Sequence, residues 1–509
     1  MPLSDEDQRQ LKNHGIDLPR ANRQLEMLRG GQAFIRLVRP CTPGDGLLQI
    51  APEALPQLTK HFDQAVSAGR LTRFVPASGA ASRMFKPLYA DADTLTACRT
   101  KSPSAEAGPQ EKALCRFLDC LPDFAFYEDL AKTMADDGQD LAQKIAERDL
   151  APILRSLLEP DGLGYGYLPK GLLAFHKEAD GARTPFIEHL AEAALANGCS
   201  GVAEVHFTVS PDHQELFEAQ FAAWEKTLQA NYGCQFDVSF SVQKPATDTL
   251  SLAASGQPLR DASGRLVLRP GGHGALIENL NDLLGDIVLL RNIDNVVPDV
   301  RKTANLNCSK ILTGLLLILQ QEQHALIRAL EKGVDEAGMR ELAVAFLADQ
   351  LQTPVPPDAD RYDLIARLDR PLRVCGMVPN AGEPGGGPFW VKDKHGQLSR
   401  QIVEGAQIDT ADPDQKAVLM SATHFNPVDM VCSVRDWQGR PYDLRRFVDE
   451  DAVIVTEKSL AGEAIRALEL PGLWNGAMAE WHTLFVEIPQ AAFNPVKTVF
   501  DLLRPAHQP

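Results

Sequence analysis

Short apolar runs alternate with helical patterns between residues 165 and 295, and this alternation limits the possible folds more than any other feature. The runs VAEVHFTVS, FDVSFSVQ and DIVLLRNID are typical of buried strands, while TPFIEHLAEAALANG and HQELFEAQFAAWEKTLQA have amphipathic helical spacing. Strands that alternate with helices favour an α/β fold with a mostly parallel central sheet. In such sheets ligands bind beyond the carboxyl ends of the strands, so the loops after strands are the places to search.

The flanking regions have a different character. Residues 1–70 have helical spacing interrupted at Pro19, Pro40 and Pro43, and the segment from about 91 to 160 is helical in pattern. The proline-rich PVPPDADRYDL near residue 355 precedes a segment of mixed strands and helices. We therefore expect a helical N-terminal region (1–70), a core with a helical insertion (71–350, insertion about 91–160), and a mixed α+β region (351–509) that completes the substrate site.

Charge and cysteine usage exclude several protein classes. The 509 residues include 68 acidic and 51 basic side chains, which gives a formal net charge of −17 and argues against a nucleic-acid surface. The nine cysteines contain no CxxC pair, as expected for reduced thiols of a cytoplasmic protein. No signal peptide is recognisable, and the longest apolar run, ILTGLLLIL, is too short to span a bilayer. The sequence leaves the oligomeric state open.

The stretch FVPASGAASRMFK, residues 74–86, predicts a strand, a turn of small residues and the start of a helix. Such a turn leaves backbone N–H groups uncovered, and a helix start adds its positive end, so the turn favours a phosphate. The stretch is neither GxxxxGK[ST] nor GxGxxG, and ordinary tight packing is the alternative. The candidate phosphate contacts are Ala77, Ser78, Gly79, Ala80 and Ser82, with charge supplied by Arg83 and Lys86.

Four motifs, in order over about 220 residues, resemble those of the nucleotidyltransferases that make nucleoside-diphosphate sugars. Residues 76–84 resemble LAGGxGTRM, although Ser78 and Ala81 stand where glycine is usual. Residues 169–173 resemble PKxLL, followed by a TPxxxHL helix start at 184–190. Residues 269–275 resemble the PGGHG loop of UDP-sugar pyrophosphorylases, and residues 286–295 resemble their strand ending in NIDN. The whole chain is also similar to a bacterial family catalogued only as a domain of unknown function.

This resemblance implies a Rossmann-like GT-A nucleotidyltransferase core and a Mg²⁺-dependent reaction of a nucleoside triphosphate with a sugar 1-phosphate. It assigns the catalytic roles to Arg83, Lys170 and Asp294. The chemistry agrees, because the protein must position two anions and neutralise the transition state. Arg83 suits the pyrophosphate end, Lys170 suits the α-phosphate or the incoming phosphate, and Asp294 suits Mg²⁺. The alternatives are a solvated loop lysine at 170 and a helix cap at 294.

The nucleobase prediction depends on Gln243, which follows a predicted strand. In the uridylyl enzymes that the chain resembles, the glutamine that reads the base also follows a strand, and an amide side chain can match the imide edge of uracil with one donor and one acceptor. The resemblance therefore implies UTP as the nucleotide. In the PGGHG loop, Gly272 and Gly274 would let a nucleobase approach the backbone. His273 lies between them and has no second His or Cys at ligand spacing, so we do not expect a metal ligand there.

Predicted contacts to the second substrate lie mostly beyond residue 350. The loop GEPGGGP contains Gly385 and Gly386, which bind a sugar or phosphate or form a hairpin connection. The stretch SATHFNPVDMV contains a polar group that could orient sugar hydroxyls or form a solvent-facing turn. Its members are Thr423, His424 and Asn426, with Asp429 as the candidate second carboxylate for Mg²⁺. Lys497 is a further candidate phosphate contact.

Two other functions remain open at this point. A GT-A glycosyltransferase would use a nucleotide-sugar donor and commonly carries a DxD metal motif at a strand end. Here Asp294 is followed by Asn295 and Val296, and the DPD at 412–414 lies in a polar loop, so this function is less well supported. A nucleotide-binding module without catalysis is the other alternative, because Ser78 and Ala81 replace glycine at the predicted phosphate turn.

Overall fold

The computed structural model describes residues 3–99, 107–198, 201–333, 336–382, 386–393, 396–460 and 462–509, without the side chains of Glu336 and residues 426–428. The chain divides into two compact units, each made of several segments. Unit 1 comprises residues 1–72, 241–290 and 308–490, and unit 2 comprises residues 73–240, 291–307 and 491–509. In the described ranges, no helix is both long enough and apolar enough to cross a membrane.

Helices and strands alternate through both units. The α-helices are α1 (Asp5–His14), α2 (Leu18–Gly30), α3 (Leu55–Ser67), α4 (Ala92–Ala97), α5 (Pro109–Asp119), α6 (Tyr127–Asp136), α7 (Leu141–Glu147), α8 (Leu150–Leu158), α9 (Pro185–Asn197), α10 (Gln214–Tyr232), α11 (Ile277–Asp282), α12 (Thr303–Lys332), α13 (Glu336–Ala345), α14 (Arg361–Leu368) and α15 (Pro413–Met420). The strands are β1 (Arg36–Pro40), β2 (Thr42–Pro43), β3 (Gly46–Leu48), β4 (Leu71–Pro76), β5 (His176–Glu178), β6 (Gly181–Arg183), β7 (Val202–Val209), β8 (Gln235–Val242), β9 (Ser251–Ala253), β10 (Ile287–Arg291), β11 (Leu372–Pro379), β12 (Gly387–Lys392), β13 (Leu398–Val403), β14 (His424–Ser433), β15 (Ile454–Leu460), β16 (Glu463–Glu469) and β17 (His482–Glu487).

Unit 1 contains strands in the order β2-β3-β17-β11-β14-β10. Strands β2, β3, β17 and β11 are parallel neighbours, and β14 is antiparallel to β11. Two smaller antiparallel sheets, β1-β12-β13 and β15-β16-β9, belong to the same unit. The predicted α/β class with a mostly parallel sheet is confirmed.

Unit 2 contains the strands β4-β7-β8 in that order, together with the hairpin β5-β6. The runs VAEVHFTVS and FDVSFSVQ form β7 and β8, and the two helical patterns of the same region form α9 and α10, as predicted. Helix α9 begins after Thr184, whose hydroxyl accepts a hydrogen bond from the Ile187 N–H at 3.4 Å. Four phenylalanines from α9, α10, β7 and β8 pack together between the helices and the strands: Phe186, Phe207, Phe217 and Phe240.

The segment predicted as a helical insertion contains α4 to α8. Its apolar side chains form one cluster with Met84, Phe85 and Leu88 and with Val496 and Val499 of the C-terminal segment. The cluster therefore fixes both the chain after β4 and the segment around residue 496. The N-terminal region is not wholly helical, because β1 to β3 lie between residues 36 and 48, where Pro40 and Pro43 prevent a helix.

Candidate active site

The turn after β4 presents three backbone N–H groups to solvent. On its two sides the Ala77 N–H donates to the Thr208 carbonyl at 2.8 Å, and the Ala81 N–H donates to the Leu168 carbonyl at 3.1 Å. Residues 78–80 between these anchors are exposed, and their N–H groups form no hydrogen bond within the described ranges. Consecutive free amides of this kind form a site for an anion.

Neither the backbone conformation nor the packing of the described residues requires a glycine at position 79. Its φ angle lies outside the left-handed region, and a Cβ placed on it would meet no atom within 4 Å. By contrast, a Cβ on Gly171 would come within 3.0 Å of the Phe217 ring, so that glycine is required by packing. The open space above Gly79 is available to a ligand that approaches the backbone.

The second predicted motif is hydrogen-bonded directly to this turn. Pro169 and Ala80 form an antiparallel bridge, and the Lys170 N–H donates to the Gly79 carbonyl at 3.0 Å. Lys170 then begins a short 3₁₀ helix that ends at Leu172. Two stretches about 90 residues apart in the sequence are therefore held side by side by backbone bonds.

The Lys170 ammonium joins the motif to Asp294. Its Nζ donates to Asp294 Oδ2 at 2.7 Å and to the Val496 carbonyl at 2.7 Å. The two charged side chains are 16% and 19% exposed, so solvent screens the pair only in part. The Val496 N–H donates back to the Asp294 carbonyl at 3.2 Å, which fixes the loop that follows β10. Lys170 is therefore not a solvated loop lysine.

Arg83 and Lys86 lie on exposed positions just after the turn. Neither side chain forms a hydrogen bond or ion pair in the part of the chain that the structure describes. The helix predicted to begin here is absent. The Met84 N–H bonds three residues back, to the Ala81 carbonyl, and Pro87 has no N–H with which to propagate a helix. Residues 86–88 form only a 3₁₀ turn, so an anion at this site would depend on amides and cations.

A buried charge network supports the loop that carries Asp294. Glu192 of α9 is fully buried and accepts hydrogen bonds from Arg73 of β4, at 2.9 Å, and from Arg291 of β10. Arg291 also donates to the Asn295 carbonyl at 3.1 Å, one residue beyond Asp294. Burial opposes ionisation of Glu192, but Arg291 and Arg73 hold its pKa well below the ordinary value. The network therefore links α9, β4 and β10 to the candidate site.

The sequence analysis did not identify this network, although the sequence contains a signal for it. Arg73 interrupts an apolar strand, Arg291 interrupts another, and Glu188 and Glu192 lie one turn apart on an apolar helix. Charged residues are rarely buried without a partner, so such positions in predicted buried elements indicate a paired network.

His189 lies beside the same network and is also fully buried. Its Nε2 donates to the Asn292 carbonyl at 3.3 Å, and its Nδ1 has no hydrogen-bond partner within the described ranges. Burial and the positive charges of Arg73 and Arg291 lower the pKa of His189 to about 3. The imidazole is therefore neutral at physiological pH and holds Asn292, two residues before Asp294.

The buried histidines predict that stability falls as the pH is lowered from 7 to 5.5. Burial lowers the pKa of His189 to about 3, of His206 to about 4 and of His507 to about 3. Below the unfolded pKa of about 6.5, the unfolded chain binds protons that the folded chain does not, so each such group removes about 1 kcal/mol over this interval. Urea unfolding at both pH values measures the change, and equal midpoints would contradict the prediction.

The residues predicted around the PGGHG loop belong to unit 1. Gly272 has a φ of +78°, and a Cβ on Gly274 would lie 2.1 Å from the Pro471 carbonyl oxygen. The chain itself therefore requires both glycines. His273 Nε2 donates to Glu404 Oε1 at 3.1 Å, and its Nδ1 accepts from a backbone N–H. Its two ring nitrogens are thus used within unit 1.

The remaining predicted contacts in unit 1 have varied surroundings. Gln243 is half-buried, and its Nε2 has no hydrogen-bond partner among the described residues. Thr423 is exposed and bonds His424 Nδ1 at 2.8 Å, while Asp429 is buried on β14. A Cβ on Gly386 would lie 1.6 Å from a carbonyl oxygen of β13, so this glycine is required by strand packing. Gly385 and the side chain of Asn426 lie outside the described residues.

Lys497 belongs to unit 2 and follows Val496, whose carbonyl accepts from Lys170. Its side chain is exposed, and its N–H donates to Asp501 Oδ2 at 2.9 Å. Lys497 therefore directly follows the residue whose carbonyl accepts a hydrogen bond from the Lys170 ammonium.

Two stretches were considered for the DxD motif of a glycosyltransferase, and in both the structure shows side chains used within the protein. Asn295 uses its side chain internally, because Nδ2 donates to the Ala492 carbonyl and Oδ1 accepts from the Asn494 N–H. In the DPD stretch, Asp412 caps the N-terminus of α15. In the described ranges, no three His, Cys, Asp or Glu side chains form a metal-binding group.

Comparisons with known proteins give one family and several solved structures of low sequence identity. Residues 4–508 match a family described as "Domain of unknown function (DUF4301)". No match is found among curated proteins. Among solved structures, the UDP-N-acetylglucosamine pyrophosphorylase of Trypanosoma brucei in complex with an inhibitor is 12% identical over 98% of this chain and 79% of that chain, with a TM-score of 0.48. A variant of UDP-glucose pyrophosphorylase from Leishmania major in complex with UDP-glucose is 14% identical over 98% and 79%, with a TM-score of 0.43.

Proposed function

The chain belongs to the family described as domain of unknown function DUF4301, and we propose that it is a nucleotidyltransferase that condenses a nucleoside triphosphate with a sugar 1-phosphate. The observation that carries the proposal is the Lys170–Asp294 ion pair, which lies beside a turn with three exposed, unbonded amides. Such a combination provides donors for a phosphate chain and a carboxylate for a hard cation.

In the proposed reaction, a phosphate oxygen of the sugar 1-phosphate attacks the α-phosphorus of the nucleotide. A new P–O bond forms, the bond between the α-phosphorus and its bridging oxygen breaks, and pyrophosphate leaves with the bonding electrons. No proton transfer to carbon and no redox step is required. The protein's task is to position two anions and to stabilise charge on the phosphate oxygens.

Each residue of the site has a task in this scheme. The amides of residues 78–80 bind phosphate oxygens, and the open space at Gly79 lets them approach. Lys170 is held in place by Asp294 and the Val496 carbonyl, so its ammonium is oriented before the substrate binds. Arg83 supplies an exposed guanidinium for the leaving pyrophosphate.

A magnesium ion fits Asp294 as a single protein carboxylate. The second oxygen, Oδ1, forms no hydrogen bond within the described ranges, and the side chain is 19% exposed. Mg²⁺ in nucleotide sites commonly takes one or two carboxylates and completes its shell with phosphate oxygens and water. When bound, it would neutralise charge on the phosphates. Asp429 as the second carboxylate and UTP as the nucleotide, through Gln243, stay predictions.

The test is pyrophosphate release from the full-length chain with Mg²⁺, a nucleoside triphosphate and a panel of sugar 1-phosphates. The proposal requires release that depends on both the nucleotide and one sugar phosphate. A glycosyltransferase would instead release a nucleoside diphosphate from a nucleotide sugar, and a binding module would bind nucleotide without turnover. Release that is independent of every sugar phosphate would contradict the proposal.

The variant Gly79→Leu gives the matched structural control. Because a Cβ at position 79 would have no described atom within 4 Å, we expect the unfolding midpoint of the variant to stay close to that of the wild type. The same side chain would occupy the space above the amides, so nucleotide binding should weaken by about tenfold or more. Wild-type affinity in this variant would remove the turn from the site.

A further inference from the structure

Unit 1 contains a cavity of about 730 Å³ that no part of the proposed reaction uses. Strands β12, β13 and β17 contribute to its walls, together with residues 33–36 and the segment after the π-helical turn Phe346–Gln350. Its volume lies within the range of small-molecule sites. The polar side chains considered below are Gln352, Arg367, Arg370, Arg400, Trp481 and His482.

Three arginines line the cavity and form no ion pair with a carboxylate of the described residues. Arg400 of β13 is 5% exposed, and its one side-chain hydrogen bond in the described ranges is from Nη2 to the Leu351 carbonyl at 2.6 Å. Arg370 and Arg367 likewise contact only backbone carbonyls, at 3.4 Å and 3.5 Å. A buried guanidinium without a counter-charge is costly, so this wall favours an anion.

Most buried arginines elsewhere in the described ranges are neutralised; the exception, Arg373 of β11, bonds Thr483 Oγ1 and the Trp474 carbonyl. Arg73, Arg183 and Arg291 of unit 2 each contact a carboxylate. The cavity wall does contain acidic side chains, namely Asp393, Asp449, Asp451 and Glu480, but Asp451 is bonded by Arg23 at 2.8 Å. The basic members number five: Arg36, Arg367, Arg370, Lys392 and Arg400. Among the described residues, Arg367, Arg370 and Arg400 thus form no ion pair with a carboxylate, and the Glu480 charge acts on Arg370 only at longer range.

The cavity also has buried polar atoms without partners. Trp481 and His482 are 5% and 4% exposed, and no described residue bonds Trp481 Nε1, His482 Nε2 or Gln352 Oε1. Burial and the charges of Arg370 and Arg400 lower the pKa of His482 to about 4, so its ring is neutral. Buried donors and acceptors of this kind are normally satisfied, so three in one cavity wall indicate a missing hydrogen-bonding partner.

The backbone at Gln352 is strained. Its φ of +48° lies in the left-handed region, which is uncommon for a residue with a Cβ. It follows the π-helical turn Phe346–Gln350, a feature that often marks functional sites. Strain of this sort persists where the surrounding structure holds a side chain for a task.

We propose that this cavity binds a small molecule that carries both a phosphate group and hydroxyl groups, such as a hexose phosphate. The guanidinium groups of Arg367, Arg370 and Arg400 bind the phosphate. Gln352 Oε1 accepts from a hydroxyl group, and Trp481 Nε1 donates to one. The proposal does not depend on nucleotidyl transfer, and the ligand acts as a substrate or as an effector.

The test is calorimetric titration of the full chain with glucose 6-phosphate, inorganic phosphate and glucose. Glucose 6-phosphate is chosen because it lacks the 1-phosphate that the proposed reaction requires. We expect it to bind more tightly than phosphate, and glucose to bind weakest. Arg370→Gln and Arg400→Gln should each weaken glucose 6-phosphate by about tenfold or more. Trp481→Phe should weaken glucose 6-phosphate but leave inorganic phosphate unchanged, because it removes only the indole N–H.

Two control variants assign the binding to this cavity. Arg445→Gln removes an exposed arginine of unit 1 outside the cavity and should change nothing. Arg83→Gln alters the candidate active site and should also keep glucose 6-phosphate binding. If Arg400→Gln does not fold, Arg370→Gln still tests the proposal, because Arg370 is only half-buried. The proposal is overturned if the wild type binds neither glucose 6-phosphate nor inorganic phosphate. It is also overturned if Arg370→Gln binds glucose 6-phosphate as tightly as the wild type does, or if Arg83→Gln alone abolishes that binding.

Discussion

Asp294→Asn is expected to lower kcat for pyrophosphate release by at least about a hundredfold while leaving the chain folded. The substitution keeps the shape of the side chain but removes the negative charge that faces the Lys170 ammonium at 2.7 Å. It removes the carboxylate proposed for Mg²⁺ and loosens the orientation of Lys170, which retains only the Val496 carbonyl. Steady-state rates at saturating nucleotide and Mg²⁺ measure the effect.

The control for this variant is Asp212→Asn, which neutralises an exposed carboxylate of the same unit that forms no ion pair among the described residues. It should retain the wild-type rate. The unfolding midpoint of Asp294→Asn is measured alongside, and kcat is compared where the variant remains folded, because the pair is mostly shielded from solvent and its loss leaves Lys170 without a counter-charge. Near-normal turnover in Asp294→Asn would exclude this carboxylate from the reaction.

Glu192→Gln is expected to destabilise the chain by about 3–5 kcal/mol, the typical cost of leaving a buried charge without its partner. Glu192 is fully buried, and its carboxylate neutralises Arg73 and Arg291, which are themselves almost completely buried. The glutamine side chain is nearly the same size as that of glutamate, so the loss of unfolding free energy reflects the removed charge and not a change in packing volume. Urea unfolding of the purified variant measures it.

Two comparisons separate this effect from a general loss of charge. Glu147→Gln alters a half-exposed carboxylate at the end of α7 and should leave the urea midpoint close to that of the wild type, because exposed ion pairs contribute little to stability. The same network holds the Asn295 carbonyl, so Glu192→Gln should also reduce turnover under conditions where the variant remains folded. Wild-type stability in Glu192→Gln would show that the two guanidinium groups find other partners.

Local sequence patterns predicted the secondary structure around the candidate site well. The alternation of apolar runs and amphipathic stretches predicted β7, β8, β10, α9 and α10, because strand and helix periods differ. The helix expected after the Ser-Gly-Ala turn was wrong. Pro87 cannot propagate a helix, and Met84, Phe85 and Leu88 are buried in a tight turn against the insertion helices. Tertiary packing overrode the local preference there.

Motif resemblance predicted a set of candidate site residues but not how they contact one another. The bond between Lys170 and Gly79, and the meeting of Lys170, Asp294 and the Val496 carbonyl, involve stretches 91, 124 and 326 residues apart. No local pattern encodes such contacts. Gly274 and Gly386 were predicted as ligand contacts, but the structure gives another reason for a glycine at each position. Carbonyl oxygens of the chain itself approach both residues too closely for a Cβ.

The sequence by itself determined the α/β class, the small-residue turn and the identity of the charged side chains, because these depend on periodicity and on chemistry that each residue carries locally. Only the tertiary structure decided that Lys170 is paired and partly buried, that Glu192 neutralises two arginines, and that Arg400 has no such partner. The reason is that the free energy of a charge depends on its burial and on neighbours that are distant in the chain, and folding alone sets both.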